Sequence, residues 1–288
     1  TSDFLLSNTD KGGSESMAFT LAKEWREGIW DGLGFTYIYT YTEAEDASPM
    51  TSSIAQSSYT RYGTSDPQNP PAVTSDYEVR HRHALNLYYA KKFFGDHETR
   101  INIFAQHRSG LPFSYTFANS RTGTLDNDFG YNVSSYSGRQ ATSNALLYVP
   151  TTNDPIVVYG AGFDQSAFQN FLETSGLSKY AGKIAPRNAF RQADVTTIDL
   201  RISQELPAFF PNGAKVQVFM DIKNLGNLIN DDWGVLEQYD FSRQVPVVNV
   251  SCVGPATTTP VVNCGSAGAR YLITGTGPGG TFATPVRP

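Results

Sequence analysis

From residue 33 to residue 42 every second side chain is large and apolar or aromatic: Leu33, Phe35, Tyr37, Tyr39 and Tyr41. Between them stand Gly34, Thr36, Ile38, Thr40 and Thr42. A strand turns successive side chains to opposite faces, so this period predicts a strand with one greasy face. Residues 214–223 repeat the pattern, with Val216, Val218, Met220 and Ile222 against Lys215, Gln217, Asp221 and Lys223, and Phe219 as the exception. Residues 197–205 set Ile198, Leu200 and Ile202 against Thr197, Asp199, Arg201, Ser203 and Glu205. Three further segments fit less cleanly: Met17, Phe19 and Leu21; Leu85, Leu87 and Tyr89; Ile101, Ile103 and Ala105. No helical period of similar clarity is sustained anywhere, although residues 165–177 are compatible with a short helix inside a loop.

The six strands fall into three pairs. Within each pair the connection is short: residues 25–31, 93–98 and 207–213, all carrying Gly, Asp, Asn or Pro for the turn. Between pairs it is very long: about residues 43–82, then 109–195, then everything after 225, rich in Ser, Thr, Asn, Asp, Gly and Pro. Structureless connections above about 15 residues are uncommon in a compact domain. A membrane barrel has them by construction, with short turns on one side and long loops on the other. Strands of about ten residues also suit a tilted membrane crossing. The expected fold is therefore all-β: an antiparallel up-and-down transmembrane barrel segment with long extracellular loops. It has six strands, or eight if residues 156–159 and 245–250 join the wall. A half-buried sheet of a soluble β-sandwich is the competing reading, because alternation alone does not separate the two.

Composition narrows the classes further. Lys and Arg number 22 against 27 Asp and Glu, a net charge of −5, which excludes the basic stripe of a nucleic-acid binder. No run of 18 apolar residues exists, so no transmembrane helix is expected. The start, Thr1-Ser-Asp-Phe-Leu-Leu, has no basic n-region followed by an apolar core, so a signal peptide is expected to be absent, already removed or lost by truncation.

On the barrel reading the apolar faces meet lipid, where a Lys or Arg near the midplane costs about 2–4 kcal/mol. The lipid-facing set is Leu33, Phe35, Tyr37, Tyr39, Tyr41, Leu85, Leu87, Ile198, Leu200, Ile202, Val216, Val218 and Met220. Lys23 and Lys91 continue two of these faces, but only at their turn-proximal ends, where a long side chain can snorkel. Tyr37, Tyr39 and Tyr41 at one end, with Trp25 and Trp30 at the other, would form the two aromatic girdles. Asp199, Arg201, Glu205, Lys215, Asp221 and Lys223 point to the other, lumenal face and are expected to pair across adjacent strands.

The segment from Ser16 to Asp46 resembles a late hairpin of a TonB-dependent outer-membrane receptor. Arg82-His-Ala-Leu-Asn-Leu and Arg108-Ser-Gly-Leu-Pro-Phe-Ser-Tyr resemble the same family. Most specific is Arg187-Asn-Ala-Phe-Arg-Gln-Ala-Asp-Val-Thr-Thr-Ile-Asp-Leu-Arg-Ile-Ser-Gln-Glu-Leu, followed by Asp221-Ile-Lys-Asn-Leu-Gly-Asn-Leu-Ile-Asn-Asp-Asp-Trp-Gly, similar to the Oar-like subgroup. The resemblance implies part of a receptor in the bacterial outer membrane that takes up or senses an extracellular ligand. Its wall would be 22-stranded around a plug domain, and its energy would come from the TonB complex. No plug or TonB box is visible, and the chain ends Pro285-Val-Arg-Pro rather than on an aromatic residue. Residues 1–288 are thus expected to be a C-terminal part of such a barrel, without plug or last strand. The alternatives are a secreted β-sandwich binding or adhesion module, and a small complete outer-membrane barrel of eight to ten strands.

No catalytic constellation emerges, and no enzyme, metal or cofactor is expected. Gly275-Thr-Gly-Pro-Gly-Gly matches a dinucleotide fingerprint, but the prolines that follow argue against the helix it needs. His81 and His83 share a strand face but lack a third ligand. Cys252 and Cys264 lie in the last loop, where a disulfide would contribute about 3 kcal/mol on the loop-entropy account. The acidic run from Glu43 to Asp46 reads as a solvated loop base rather than a cation site. Asn132-Val-Ser and Asn249-Val-Ser match a glycosylation sequon of little weight. Tyr115, Phe117, Tyr131 and Tyr136 are candidates to line an extracellular mouth.

Overall fold

The computed structural model describes residues 7–55, 58, 62–66, 69–118, 132–133, 142–207, 215–239, 243–255, 268–276 and 282. Its largest element is an antiparallel sheet of six long strands. These are β1 (Gly12–Glu24), β2 (Leu33–Asp46), β3 (His81–Phe94), β4 (His97–Arg108), β5 (Val195–Pro207) and β6 (Lys215–Ile222). They lie side by side in chain order, each paired antiparallel with the next, and the two-residue strand Val73–Thr74 adds to the end of β2. The period-two segments are thus all strands of one up-and-down sheet. Among the described residues β1 and β6 are its free edges, so the sheet is open and not a closed barrel.

Short connections gather at one end. Gly32, at φ +89°, lets the β1–β2 turn approach β3 so closely that a Cβ there would lie 2.1 Å from the Ala90 carbonyl oxygen. In return Gly32 accepts a hydrogen bond from the Ala90 N–H at 2.8 Å. Gly95, at φ +62°, closes the two-residue turn between Phe94 and His97. Residues 208–214, between β5 and β6, lie outside the described residues.

Register sorts the side chains, because directly opposed residues share a face. One face carries the row Lys23–Phe35–Leu87–Ile103–Leu200–Ile222. Beside it runs the row Leu33–Tyr89–Ile101–Ile202–Met220. None of these side chains is buried. At the edges, Met17 is 64%, Val218 55% and Met220 53% exposed. Leu33 and Ile202 are half-buried and Val216 is exposed, so none of the three sits in a sealed interior.

The opposite face is polar and ion-paired. Arg201 lies 3.5 Å from Asp221, Lys215 2.7 Å from Glu205, and Lys223 3.1 Å from Asp199. The expected pairing across adjacent strands is therefore present for all six residues. Ile38, Phe104 and Phe219 are large apolar side chains on this face, and Phe219 lies 4.4 Å below the Arg201 guanidinium in a cation–π contact.

The long connections differ from expectation. They are not structureless: residues 109–194 and those after 225 hold the chain's hydrophobic core, a cap on the end of the sheet away from the short turns. Phe113, Phe117, Leu147, Phe168, Leu177, Val245, Val248 and Ile273 are all buried in it. Its central strand, Pro112–Ala118, is buried along its whole length. That strand pairs antiparallel with Phe190–Arg191 and Thr142–Leu146 and parallel with Gln244–Pro246. A second small sheet joins Val157–Tyr159, Arg270–Thr276 and Val248–Val253. The two segments offered as extra wall strands, 156–159 and 245–250, thus belong to the cap. Valines at 245, 247, 248 and 250 are all buried there, because the cap covers both sides of them.

The short helix is present as Gln165–Thr174. Asp164 caps it by accepting the Ala167 N–H at 2.9 Å, and Phe168 and Leu172, one turn apart, face the core. Cys252 is buried and disulfide-bonded. Its expected partner Cys264, together with Tyr131, Tyr136 and residues 277–280 of the glycine motif, lies outside the described residues.

Candidate ligand cleft

The cap is clamped to the sheet by a buried polar cluster, and a cleft opens beside it. Glu78, just before β3, has no exposed side-chain surface. It accepts the Ala44 N–H of β2 at 2.7 Å and the Arg80 Nε–H at 3.1 Å, and is ion-paired with Arg191 of the cap. Arg187 donates to the Asp46 carboxylate at 2.7 Å and stacks over Tyr62 at 5.4 Å. Asp46 is therefore not the solvated loop base expected of the acidic run: it is half-buried and holds a cap arginine. Asn188 donates its side-chain amide to the Thr74 carbonyl at 2.8 Å, and Arg243 donates to the Asp76 carbonyl at 2.8 Å.

Burial raises the Asp76 carboxyl above its ordinary value, outweighing the Asn188 hydrogen bond and the nearby Arg187 and Arg243 charges. A raised folded-state value favours the fold below the ordinary pKa of 3.8 and withdraws that contribution as pH rises through the raised value. Asp76→Asn keeps an oxygen for Asn188 and removes the titration. Its urea-unfolding free energy, followed from about pH 4 to about pH 7, should therefore lose the decline that the parent chain shows over that window.

Next to this clamp lies a cleft of about 470 Å³. Phe113, Tyr115, Phe171, Phe190, Tyr239 and Phe282 supply rings to its lining. They pack on one another at centroid distances of 4.7 Å for Phe113–Tyr239, 4.8 Å for Tyr115–Phe190 and 5.7 Å for Tyr115–Phe171. They come from four parts of the cap: Phe113 and Tyr115 from the central strand, Phe171 from the helix, Phe190 from the residues leading into β5, and Tyr239 and Phe282 from the region after β6. Desolvation pushes the Tyr115 phenol up to about 12 and also raises that of Tyr239, so both hydroxyls stay neutral at physiological pH.

The polar side chains of the lining are Arg191 and Gln192, beside Ala193, together with Thr174 and Ser175. Gly110 makes this close packing possible, since a Cβ there would fall 2.0 Å from the Gln192 carbonyl oxygen. Gln192 is only 9% exposed, and among the described residues its Nε2 has no hydrogen-bond partner. A second, smaller cavity of about 170 Å³ lies beside Tyr62, Leu146 and Arg187.

Of the mouth residues expected from sequence, Tyr115 lines the cleft and Phe117 is buried in the core behind it. The clamp and the Gln192 floor were missed. Alternation at Phe113, Tyr115 and Phe117 was the available strand signal, hidden by the low-complexity look of the loop.

At the cap end of the apolar sheet face, Tyr37 and Tyr39 hydroxyls meet His83 Nδ1 at 2.8 Å and His81 Nδ1 at 2.9 Å. His107 Nδ1 meets Thr196 Oγ1 at 2.8 Å. These histidines are partners in an aromatic ladder, and no group of three metal-ligating side chains occurs among the described residues. Trp25 packs 6.0 Å from Phe35 at the other end, with Trp30 56% exposed beyond it. Asn249, the second sequon, donates to the Thr276 carbonyl at 3.0 Å within the cap. No family model, curated protein or solved structure matches this chain.

Proposed function

We propose that the chain is a stretch of wall, with its surface cap, from a bacterial outer-membrane barrel, and that this barrel is a TonB-dependent receptor of the Oar-like kind which takes up or senses an extracellular ligand. The observation that carries the membrane part is the uncovered apolar face of the six-stranded sheet. Its rows run unbroken across the strands while the hydrophobic core sits elsewhere, in the cap. A soluble sandwich would cover that face with a second sheet, whereas a lipid bilayer covers it without one. From Tyr41 to Leu33 is eight residue steps, roughly 27 Å along a strand and, at a tilt of about 40°, roughly 20 Å across the membrane. Tyr37, Tyr39 and Tyr41 then sit at one interface, and Trp25 and Trp30 at the other. The receptor part rests on the sequence resemblance and on a ligand-sized cleft in the cap.

The test is the solvent preference of the sheet. The chain should stay monodisperse only with detergent. In vesicles, Trp fluorescence should be quenched by phosphatidylcholine brominated near the headgroup more than by lipid brominated at the chain ends. A monodisperse chain in plain buffer, unquenched by either lipid and with strand circular dichroism intact, would remove the membrane wall.

A further inference from the structure

We propose that the aromatic cleft of the cap binds an uncharged, hydroxyl-rich ring: a pyranose unit of a glycan. The proposal deepens the receptor reading and rests on it for its biological sense, but it stands on the chemistry of the cleft lining.

The rings come first. Phe113, Phe171 and Phe190 give the cleft apolar walls. An aromatic face carries partial negative charge, so it attracts the weakly positive C–H groups on the flat side of a sugar. The polar groups come next. The Gln192 Nε2 is buried without a partner, and leaving such a donor unsatisfied costs about 1–3 kcal/mol. The Tyr115 and Tyr239 hydroxyls make no hydrogen bond to a described residue. A ligand that presents several hydroxyls can exchange hydrogen bonds with both phenols, and it accepts from the amide once the Gln192 side chain turns its shielded Nε2 toward the cleft. A purely apolar ligand would leave all three unmet.

Charge decides between polar ligands. Among the described residues the one cation in the lining, Arg191, is already bound to Glu78 and donates to the Gly110 carbonyl at 3.3 Å. Lys179 lies 5.0 Å from the Phe190 centroid but is not part of the lining. Among the described residues no carboxylate lines the cleft. Neither an anion nor a cation would find an unpaired counter-charge there, whereas a neutral ring needs none. The volume of about 470 Å³ lies within the roughly 300–1,000 Å³ of small-molecule sites.

The experiment is calorimetric titration of the full chain in lauryldimethylamine oxide, a detergent without a sugar headgroup. The probes are maltotriose, cellotriose and diacetylchitobiose, with a glucuronic-acid disaccharide and indole as the charged and apolar arms. At least one neutral oligosaccharide should bind in or below the millimolar range and more tightly than the last two. Gln192→Met should weaken it about tenfold and Tyr239→Phe by several-fold, at unchanged melting temperature. If Gln192→Met lowers the melting temperature, Tyr239→Phe alone decides. Failure of all three oligosaccharides, tighter binding of indole or the uronide, or indifference to the deciding variant would overturn the proposal. Sugar binding without lipid quenching would leave the cleft standing and remove the membrane wall; quenching without sugar binding does the reverse.

Discussion

Replacing Glu78 with alanine should lower the unfolding free energy by about 3–5 kcal/mol, the cost of removing one partner from a buried ion pair. The carboxylate has no exposed surface and serves three donors from three places: Ala44 of β2, Arg80, and Arg191 at the edge of the cap. Without it the Ala44 N–H loses its acceptor, and Arg191 and Arg80, with side chains 26% and 34% exposed, lose their shared anion. Glu78→Gln should cost less, because its amide oxygen still accepts from Ala44. The measurement is urea unfolding in detergent, read by near-ultraviolet circular dichroism of the cap aromatics. A loss below about 1 kcal/mol for the alanine variant would mean that the junction is wetter or looser than described.

A charge on the apolar face should be expensive in lipid and cheap one residue away. Leu87 and Asn86 are neighbours near the middle of β3 that face opposite sides, Leu87 beside Phe35 and Ile103, Asn86 beside Thr36 and Phe104. Leu87→Arg should destabilise the sheet by about 2–4 kcal/mol in a bilayer, the cost of an arginine near the midplane. Asn86→Arg should shift it by less than about 1 kcal/mol, since that face already carries charged side chains. Urea-dependent folding into phosphatidylcholine vesicles reads both. Equal effects of the two variants would contradict a lipid-covered face.

Much of the sheet was legible in the sequence, for a local reason. The period of two is set by the covalent geometry of an extended chain, so Leu33 to Tyr41 declare their face without reference to any other strand. Short turns then fix neighbours, and the neighbours fix register. That is why the six charged residues at β5 and β6 were expected to pair across the two strands, while the individual partners, Arg201 with Asp221 and Lys215 with Glu205, come from the structure. The exception, Phe219, stands opposite Ser203 and packs on Arg201 diagonally across the pair.

The cap was not legible in this way. Its strands are two to seven residues long, too short for a period to stand out, and several are buried on both sides, which erases the alternation altogether. Val245 to Val250 read as a wall strand because a valine run has no preferred face.

The sequence by itself thus determined a meander of long one-sided strands, its greasy and charged faces and the placement of its short turns, since each of these follows from a few consecutive residues. Only the tertiary structure decided that the long connections enclose a core, that Asp46 meets Arg187 across 141 positions, and that Gln192 lies at the floor of a cleft walled by rings from residues 113 to 282. Contacts between distant segments depend on how the whole chain closes on itself, and no local period records that.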